Sequence, residues 1–466
     1  MARRERLLRP RPRWPRRSGR IPGMPASPST ARAINDRLAL RLLQQQGPLT
    51  AAQLKQHTGL SRPTVADLVD RLAASGLIQV VGEAGEQRRG PNAKLYGIVA
   101  DRAHLAALDV RTEGVSVLVS DLVGRVLGEA SVPIGGDTGT GHAVEQAVAL
   151  VERVAKEAGA DRLHTVGIGA PGLIDPATGE LRDSGGLPAW HRRLVAVLQE
   201  RLPAARVTVE NETNLAALAE QRDGAARDRD TFVLLWLGFG TGAAVVLDGH
   251  LRRGASGGTG EIGFLPVPWT RGLPSATDCA GGFHSLASSA AITELAGRHG
   301  VTAPPGTEEP LGAGLVRAAV QAVSAGGAGA GDAGVVPVGV AGDVGVVPAG
   351  VVGAGGAGVG SAGGAAGAGS AEGGAGAFLD ALADRVALGV ASVVAVLDPG
   401  CVVLGGEVGH AGGEELAGRV EERIRRMAPL PTEVRAGVLG GAAVLRGALL
   451  TAREAAQEVL FAPLDR

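Results

Sequence analysis

Cysteine and lysine are nearly missing from this 466-residue chain, and apolar runs long enough to cross a membrane are missing altogether. Two cysteines, Cys279 and Cys401, make neither a disulfide framework nor a four-cysteine metal site, so the chain suits a reducing interior and the expected location is the cytoplasm. The best apolar run, VLLWLGFGTGAAVVL from Val233 to Leu247, falls short of the roughly 18 residues of a spanning helix and is broken by glycines. It reads as strand, turn, strand, and no membrane association is expected. The Arg/Pro-rich start, Met1 to Arg20, lacks the apolar middle section of a signal peptide. Residues 1–28 therefore read as a disordered basic tail: an arm that grasps DNA, a solvated tail, or an upstream extension if the true start is Met24.

With lysine confined to Lys55, Lys94 and Lys156, nearly all positive charge is arginine, which with the excess of Ala and Gly suggests a GC-rich genome. Formal net charge is −1, but it is unevenly spread: residues 1–100 hold 18 Lys/Arg against 6 Asp/Glu, leaving 28 against 41 beyond. A basic front on an acidic body suggests a nucleic-acid-binding end.

Between Ser29 and Ile98 the pattern is three helices and a hairpin. INDRLALRLLQQQG places Ile34, Leu38 and Leu42 on one helical face, and Thr50 to Gln53 forms a capping box that opens a second helix ending at Gly59. Ser61 caps a third helix with Pro63 in its first turn, Val65, Leu68, Val69 and Leu72 on its apolar face, and Gly76 as its stop. LIQVV and KLYGI then flank the polar loop GEAGEQRRGPN as a wing. Residues 29–100 thus have the form of a winged helix-turn-helix, in which the start of the third helix enters the major groove. Ser61, Arg62 and Thr64 are placed to reach bases and phosphates of double-stranded DNA, and Arg88 and Arg89 on the wing to reach phosphates or a minor groove. The competing reading is an ordinary three-helix subdomain with solvated arginines.

From His104 onward the chain is α/β: VSVLVSDLVGRVLGE reads as a strand pair, and HTVGIGAPG, RVTVEN, TFVLLWLGFG, AAVVLDG and CVVLGG read as strands ending in glycine loops. Residues 325–376 are nearly all Gly, Ala and Val, with too few large side chains to offset ordering entropy, and read as a flexible insertion between two helices that would otherwise pack together.

Single glycine motifs carry little weight in a chain with 74 glycines, but their order does. GIGAPGLID (Gly167 to Asp175), ENETN (Glu210 to Asn214), LGFGTGAAVVLDG (Leu237 to Gly249), GGTGEIG (Gly257 to Gly263) and LDPGCVVLGGE (Leu397 to Glu407), behind a winged helix-turn-helix, resemble the ROK family of repressors and sugar kinases. The resemblance implies, for residues 101–466, a two-lobed actin-like (ribonuclease H-like ATPase) sugar-kinase domain with a sugar in its cleft.

Carried over residue by residue, it implies half a site. Asn211, Glu212 and Glu261 match positions that hold sugar hydroxyls, but Glu212 stands where the kinases have the aspartate that acts as general base, and one extra methylene displaces its carboxylate by about 1 Å or more. The kinases' early Asp-x-Gly-Gly-Thr phosphate loop reads DVRTE here, Asp109 to Glu113, which puts an acidic side chain, Glu113, in the loop whose glycines would admit phosphate. Phe239 replaces a threonine of the second phosphate loop. Gly405 and Gly406, at the adenosine side, read as fold glycines. Phe264 stands where the family's zinc histidine would be, with only Cys279 nearby, so no metal and no cofactor are expected, Cys279 reads as structural and His284 as a polar loop residue.

The leading expectation is a DNA-binding regulator, a repressor of sugar-metabolism genes that reads a palindromic operator as a homodimer or homotetramer, with a catalytically degenerate sensor or dimerisation domain. One alternative is an ATP-dependent kinase of hexoses or N-acetylhexosamines with an appended DNA-binding domain. The other is a C-terminal domain that binds no small molecule and only dimerises.

Overall fold

The computed structural model describes residues 28–84, 93–182, 187–270, 272–277, 279–305, 310–329 and 365–462. The chain divides into two compact units, one ending at Val99 and one running from Ala100 to Leu460. The expected basic tail, the wing arginines Arg88 and Arg89, and residues 330–364 of the expected insertion lie outside the described residues.

The first unit contains α1 (Pro28–Gln46), β1 (Leu49–Thr50), α2 (Ala51–Thr58), α3 (Arg62–Ala74), β2 (Ile78–Ala84) and β3 (Ala93–Ile98). The capping box closes in both directions: the Gln53 amide donates to Thr50 Oγ1 at 3.2 Å, and the Thr50 amide donates to Gln53 Oε1 at 2.9 Å. Gly59 ends α2 at φ 69°. On α3 the four expected residues, Val65, Leu68, Val69 and Leu72, are all buried. Burial of a leucine of this kind stabilises by roughly 1.5–3 kcal/mol.

Helix α1 forms as expected but turns a different face inward. Ala39, Leu40 and Leu43 are buried, whereas Ile34 is 58% and Leu38 39% exposed. The apolar period is the same, rotated by one residue, and Asp36 on the inward side explains the choice: it accepts two bonds from Arg71 of α3, at 2.6 and 3.4 Å. The sheet also has a third strand that alternation could not reveal, because β1 is only two residues long; it pairs with β3 through Leu49 with Tyr96 and Thr50 with Leu95.

The second unit holds two five-stranded sheets of identical topology. In the first, β4 (His104–Arg111), β5 (Gly114–Asp121) and β6 (Val126–Pro133) form an antiparallel meander, and β7 (Leu163–Ala170) and β8 (Arg206–Asn211) extend it in parallel from β4. In the second, β9 (Phe232–Leu237), β10 (Thr241–Leu247) and β11 (His250–Arg252) form the meander, and β12 (Cys401–Gly405) and β13 (Glu433–Ala436) extend it in parallel from β9. The central strands β9 and β12 are buried along their whole length, as a strand covered on both faces must be, which is why they read as unbroken apolar runs. Cys401 lies in that layer, and burial pushes its thiol up to about 11.

Helices α4 (Thr140–Glu157) and α5 (Trp190–Arg201) share the core of the first sheet. Helix α6 (Glu212–Asp223) touches strands of both sheets, β7 and β8 of the first and β9 and β10 of the second. The second sheet is covered by α7 (His284–Ala287), α8 (Ser289–Arg298), α9 (Leu311–Gly329), α10 (Ala365–Leu397) and α11 (Gly406–Met427). Helices α9 and α10, which flank the Gly/Ala/Val stretch, pack on one another, with Val316, Phe378 and Leu382 in the shared core. The last helix, α12 (Ala443–Leu460), returns to the first sheet and packs on β4, β7 and α6.

Candidate functional site

Two places gather polar groups that the fold itself does not account for: the start of α3 in the first unit, and the cleft between the two sheets of the second.

At the start of α3, Ser61, Arg62 and Thr64 are all exposed. The Ser61 hydroxyl caps the helix by accepting from the Thr64 amide at 3.3 Å and lies 2.7 Å from the Thr64 hydroxyl. Two of the three side chains are therefore engaged with each other, and Arg62 is the long, charged group projecting from the first turn.

In the cleft, β8 delivers ENETN to the N-terminus of α6. Glu210 is a structural hub: its carboxylate accepts from the Asn211 amide at 2.9 Å, from Asn214 Nδ2 at 3.0 Å and from Arg253 Nε at 2.6 Å. Asn211 caps α6, its Oδ1 accepting from the amides of Thr213 and Asn214 at 2.9 and 3.2 Å while its Nδ2 donates to the Gly172 carbonyl at 3.0 Å. Most of its hydrogen-bonding capacity is used by the loop. Glu212, the first residue of α6, is half-buried, and its carboxyl is pushed up to about 8, first by burial and then by the negative charges of Asp109, Glu407 and Glu261, against the opposing pull of Arg111. Glu261 follows Gly260, whose φ of 89° no other residue adopts without strain and whose absent side chain leaves room for the Ala243 carbonyl. Burial raises the Glu261 carboxyl as well, but its side chain is largely exposed, so that effect carries little energy.

Three groups that matter here were not singled out from the sequence: Asp109, Arg111 and Glu407. β4 ends at Arg111, and its guanidinium donates through Nε to Asp109 Oδ2 at 2.9 Å, through Nη1 to Glu407 Oε1 at 2.5 Å and through Nη2 to the Gly441 carbonyl at 3.0 Å. Asp109 and Arg111 belong to the first sheet. Glu407 lies in the first turn of α11 on the second, directly after Gly406, whose φ is 75° and whose Cα faces the Leu237 carbonyl too closely for a Cβ. The ion pairs therefore span the cleft. Glu407 also lies over the GFGTG loop, close enough that a Cβ on Gly238 would stand 2.5 Å from its Oε2. Asp109 is 3% exposed, its Oδ1 has no hydrogen-bond partner, and burial raises its pKa against the pull of Arg111. The expectation for Glu113 needs correction: it is exposed in the β4–β5 turn, and Arg111, two residues earlier, reaches into the cleft instead.

His191 lies nearby at the start of α5, 1% exposed and packed edge-on against Trp190, with the Arg111 carbonyl close to the ring but not in good hydrogen-bonding geometry with either nitrogen. Burial lowers it to about 4, opposed by the Arg111 carbonyl, so it is neutral at neutral pH. Phe239 is 64% exposed at the tip of the second glycine loop. At the zinc position Phe264 is half-buried, and among the described residues no group of three His, Cys, Asp or Glu side chains could hold a metal ion, so the residues present do not fit that ion. His284 opens the short helix α7 and is partly buried, which lowers its pKa.

In sequence, a winged-helix unit precedes an α/β unit in which one five-stranded topology occurs twice, with a polar cleft between the two sheets. In comparison with known proteins, the ROK family model matches residues 106–313 and the MarR family model residues 34–90. The chain is similar to the xylose repressor of Caldicellulosiruptor bescii, 26% identical over 238 residues, which are 50% of this chain and 59% of that protein. It is likewise similar to the DNA-binding transcriptional dual regulator NagC of Escherichia coli (strain K12), 27% identical over 50% of this chain and 57% of that protein. The matched region thus spans less than two thirds of either relative. Among solved structures, a ROK family transcriptional regulator homologous to the E. coli MLC protein superposes with a TM-score of 0.64 at 20% identity, covering 92% of this chain and 98% of that one. The ROK hexokinase of Thermus thermophilus superposes with a TM-score of 0.52 at 26% identity over 76% of this chain and 99% of its own. No described helix is long and apolar enough to cross a membrane.

Proposed function

We propose that this protein is a DNA-binding transcriptional repressor whose sugar-kinase-like domain holds a sugar effector and does not phosphorylate it. The observation that carries the reading is the Arg111 ion-pair bridge. A kinase of this fold needs bare backbone where the triphosphate lies. Here a guanidinium stands at the first phosphate loop and the Glu407 carboxylate lies against the second, so a nucleotide would have to displace one and would be repelled by the other. The relatives named as repressors support the same reading, and Asn211, Glu212 and Glu261 are the residues assigned to the sugar.

In this reading Arg62 reads bases, Ser61 and Thr64 contact phosphate, the wing arginines Arg88 and Arg89 add phosphate or minor-groove contacts, and two copies of the chain meet a palindrome in the cytoplasm. The test selects a preferred duplex from a random pool with the full chain and compares its affinity with that of random DNA. Arg62→Ala is expected to cost about 1–3 kcal/mol on the selected duplex and much less on random DNA. Sugar binding is expected to change operator affinity about 5- to 150-fold. Equal discrimination by the parent and the Arg62 variant would remove the recognition-helix assignment.

The second reading, a sugar kinase, has one observation in its favour: a carboxyl poised near pH 8 at Glu212 is suited to a general base. A coupled ADP-release assay over hexoses and N-acetylhexosamines separates the two. We expect no turnover, and rates in the usual range of about 1–1000 per second would establish the kinase.

A further inference from the structure

A cavity of about 300 Å³ lies among the helices that cover the second sheet, lined by none of the residues of the cleft. Its apolar lining is Leu295 of α8, Ala381 of α10 and Trp269, which comes from the loop between β11 and α7. The Trp269 indole is 68% exposed, and its backbone stands at φ 71°, a conformation that a bulky residue adopts only under strain. The fold thus keeps a large ring in a costly position without burying it. Two arginines complete the lining. Arg385 of α10 donates through Nη1 to the carbonyls of Leu286 and Ala291 at 3.0 and 3.2 Å, which fixes the plane of its guanidinium and leaves Nε and Nη2 uncommitted. Burial, and then the like charge of Arg298 at the end of α8, lower Arg385, with Glu294 opposing. Among the described residues neither guanidinium has an ion pair, and the carboxylate that lines the cavity, Asp384, is engaged by Arg423 of α11 instead. Two cations side by side without a counterion, beside an apolar patch and an aromatic face, are complementary to an anion that carries a ring. With Asp384 and Glu294 close by, one negative charge fits better than two, and a guanidinium fork matches a carboxylate.

We infer that this cavity is a second small-molecule site, taking a small aromatic carboxylate whose acid group meets Arg298 and Arg385 and whose ring lies against Trp269. Its volume is at the lower end of the range of ligand pockets, which suits one or two fused rings. The site makes no use of Glu212, Arg111 or Glu407, so it stands or falls separately from the reading of the cleft as a sugar site.

The experiment is calorimetric titration of the full-length protein with benzoate and indole-3-carboxylate, and with benzamide, acetate and phenyl phosphate as comparators. At least one of the two aromatic acids is expected to bind with a Kd of about 1 mM or tighter, and at least about tenfold more tightly than benzamide or acetate. Arg298→Ala, at an exposed position that holds no structural bond, should weaken that binding about tenfold or more. Trp269→Gly should weaken it similarly while leaving stability in urea unchanged or raised, because glycine relaxes the positive φ; a tryptophan kept for the fold would lose stability instead. Arg385 is left unaltered, since its guanidinium ties down Leu286 and Ala291. Failure of both acids to bind, equal binding of benzamide, or binding untouched by Arg298→Ala overturns the site, and the comparison of ligands on the unaltered protein holds even where a variant does not fold. Tighter binding of phenyl phosphate overturns the choice of a carboxylate. A change in sedimentation of the Trp269→Gly protein, with no acid bound by the parent, marks the face as a contact between copies of the chain and overturns the site as well.

Discussion

Replacing Glu212 by glutamine keeps the shape of the side chain and removes its ionisation, so the pair of proteins isolates what that charge costs the fold. The carboxyl has an ordinary value of 4.5 and stands at about 8 in the folded cleft. Because the folded value is the higher one, the native state holds the proton more tightly than the unfolded chain between those two limits. Stability from this group is therefore fully present below about pH 4.5 and is lost as pH rises through 8. At about 1.4 kcal/mol per unit the ceiling is roughly 5 kcal/mol, and relaxation of Arg111 and entry of water reduce the expected loss to about 2–4 kcal/mol. Glutamine suffers no such loss. Urea unfolding between pH 5 and pH 9, followed by tryptophan fluorescence, reports the larger unit, where Trp190, Trp236 and Trp269 lie. The upward push on Asp109 acts in both proteins with the same sign and largely cancels in the difference. The variant should gain on the parent steadily as pH rises. Parallel stability curves across that range would show that the Glu212 carboxyl ionises normally and that the cleft does not desolvate it.

Three further changes test the framework around the cleft and the winged unit. Arg111→Met leaves Asp109 and Glu407 facing each other without their cation; with Arg111 38% exposed, we expect a loss of about 2–3 kcal/mol in urea unfolding, below the roughly 3–5 of a fully buried pair, and partial recovery when Glu407→Gln is added. Gly260→Ala, at a positive φ and against the Ala243 carbonyl, should cost more than about 3 kcal/mol or prevent accumulation of folded protein, read by circular dichroism of the expressed chain. Thr50→Ala removes the reciprocal cap of α2 and should destabilise the first unit by about 1–2 kcal/mol, seen as faster amide hydrogen exchange in α2.

What could be read from the residues in order was whatever rests on local rules. Caps at Thr50 and Ser61, the stop at Gly59 and the apolar face of α3 depend on neighbours within four positions, and they stand as expected. The strands ending in glycine loops were legible because a strand covered on both faces has to be apolar throughout. The face of α1 was not, because the partner that decides it, Arg71, is 35 residues away. The cleft shows the same division. Asn211, Glu212 and Glu261 were visible through motif order, yet Arg111 and Glu407 are 296 residues apart and meet only because β4 and α11 reach the cleft from different sheets. Glu113 was the natural residue to suspect in DVRTE, since its charge opposes phosphate. Which member of a hairpin turn points inward depends on strand register, and here the last residue of β4 does so.

Helix α6 carries Glu212 at its first position and Glu220 eight residues later, about 12 Å along a straight rod. At the far end the Glu220 carboxylate grips two amides, Ala225 at 2.7 Å and Leu439 at 3.0 Å, the latter in the segment that leads into α12. A tilt of the near end would therefore be felt directly at the Leu439 amide, just before the last described helix, through the Glu220 carboxylate.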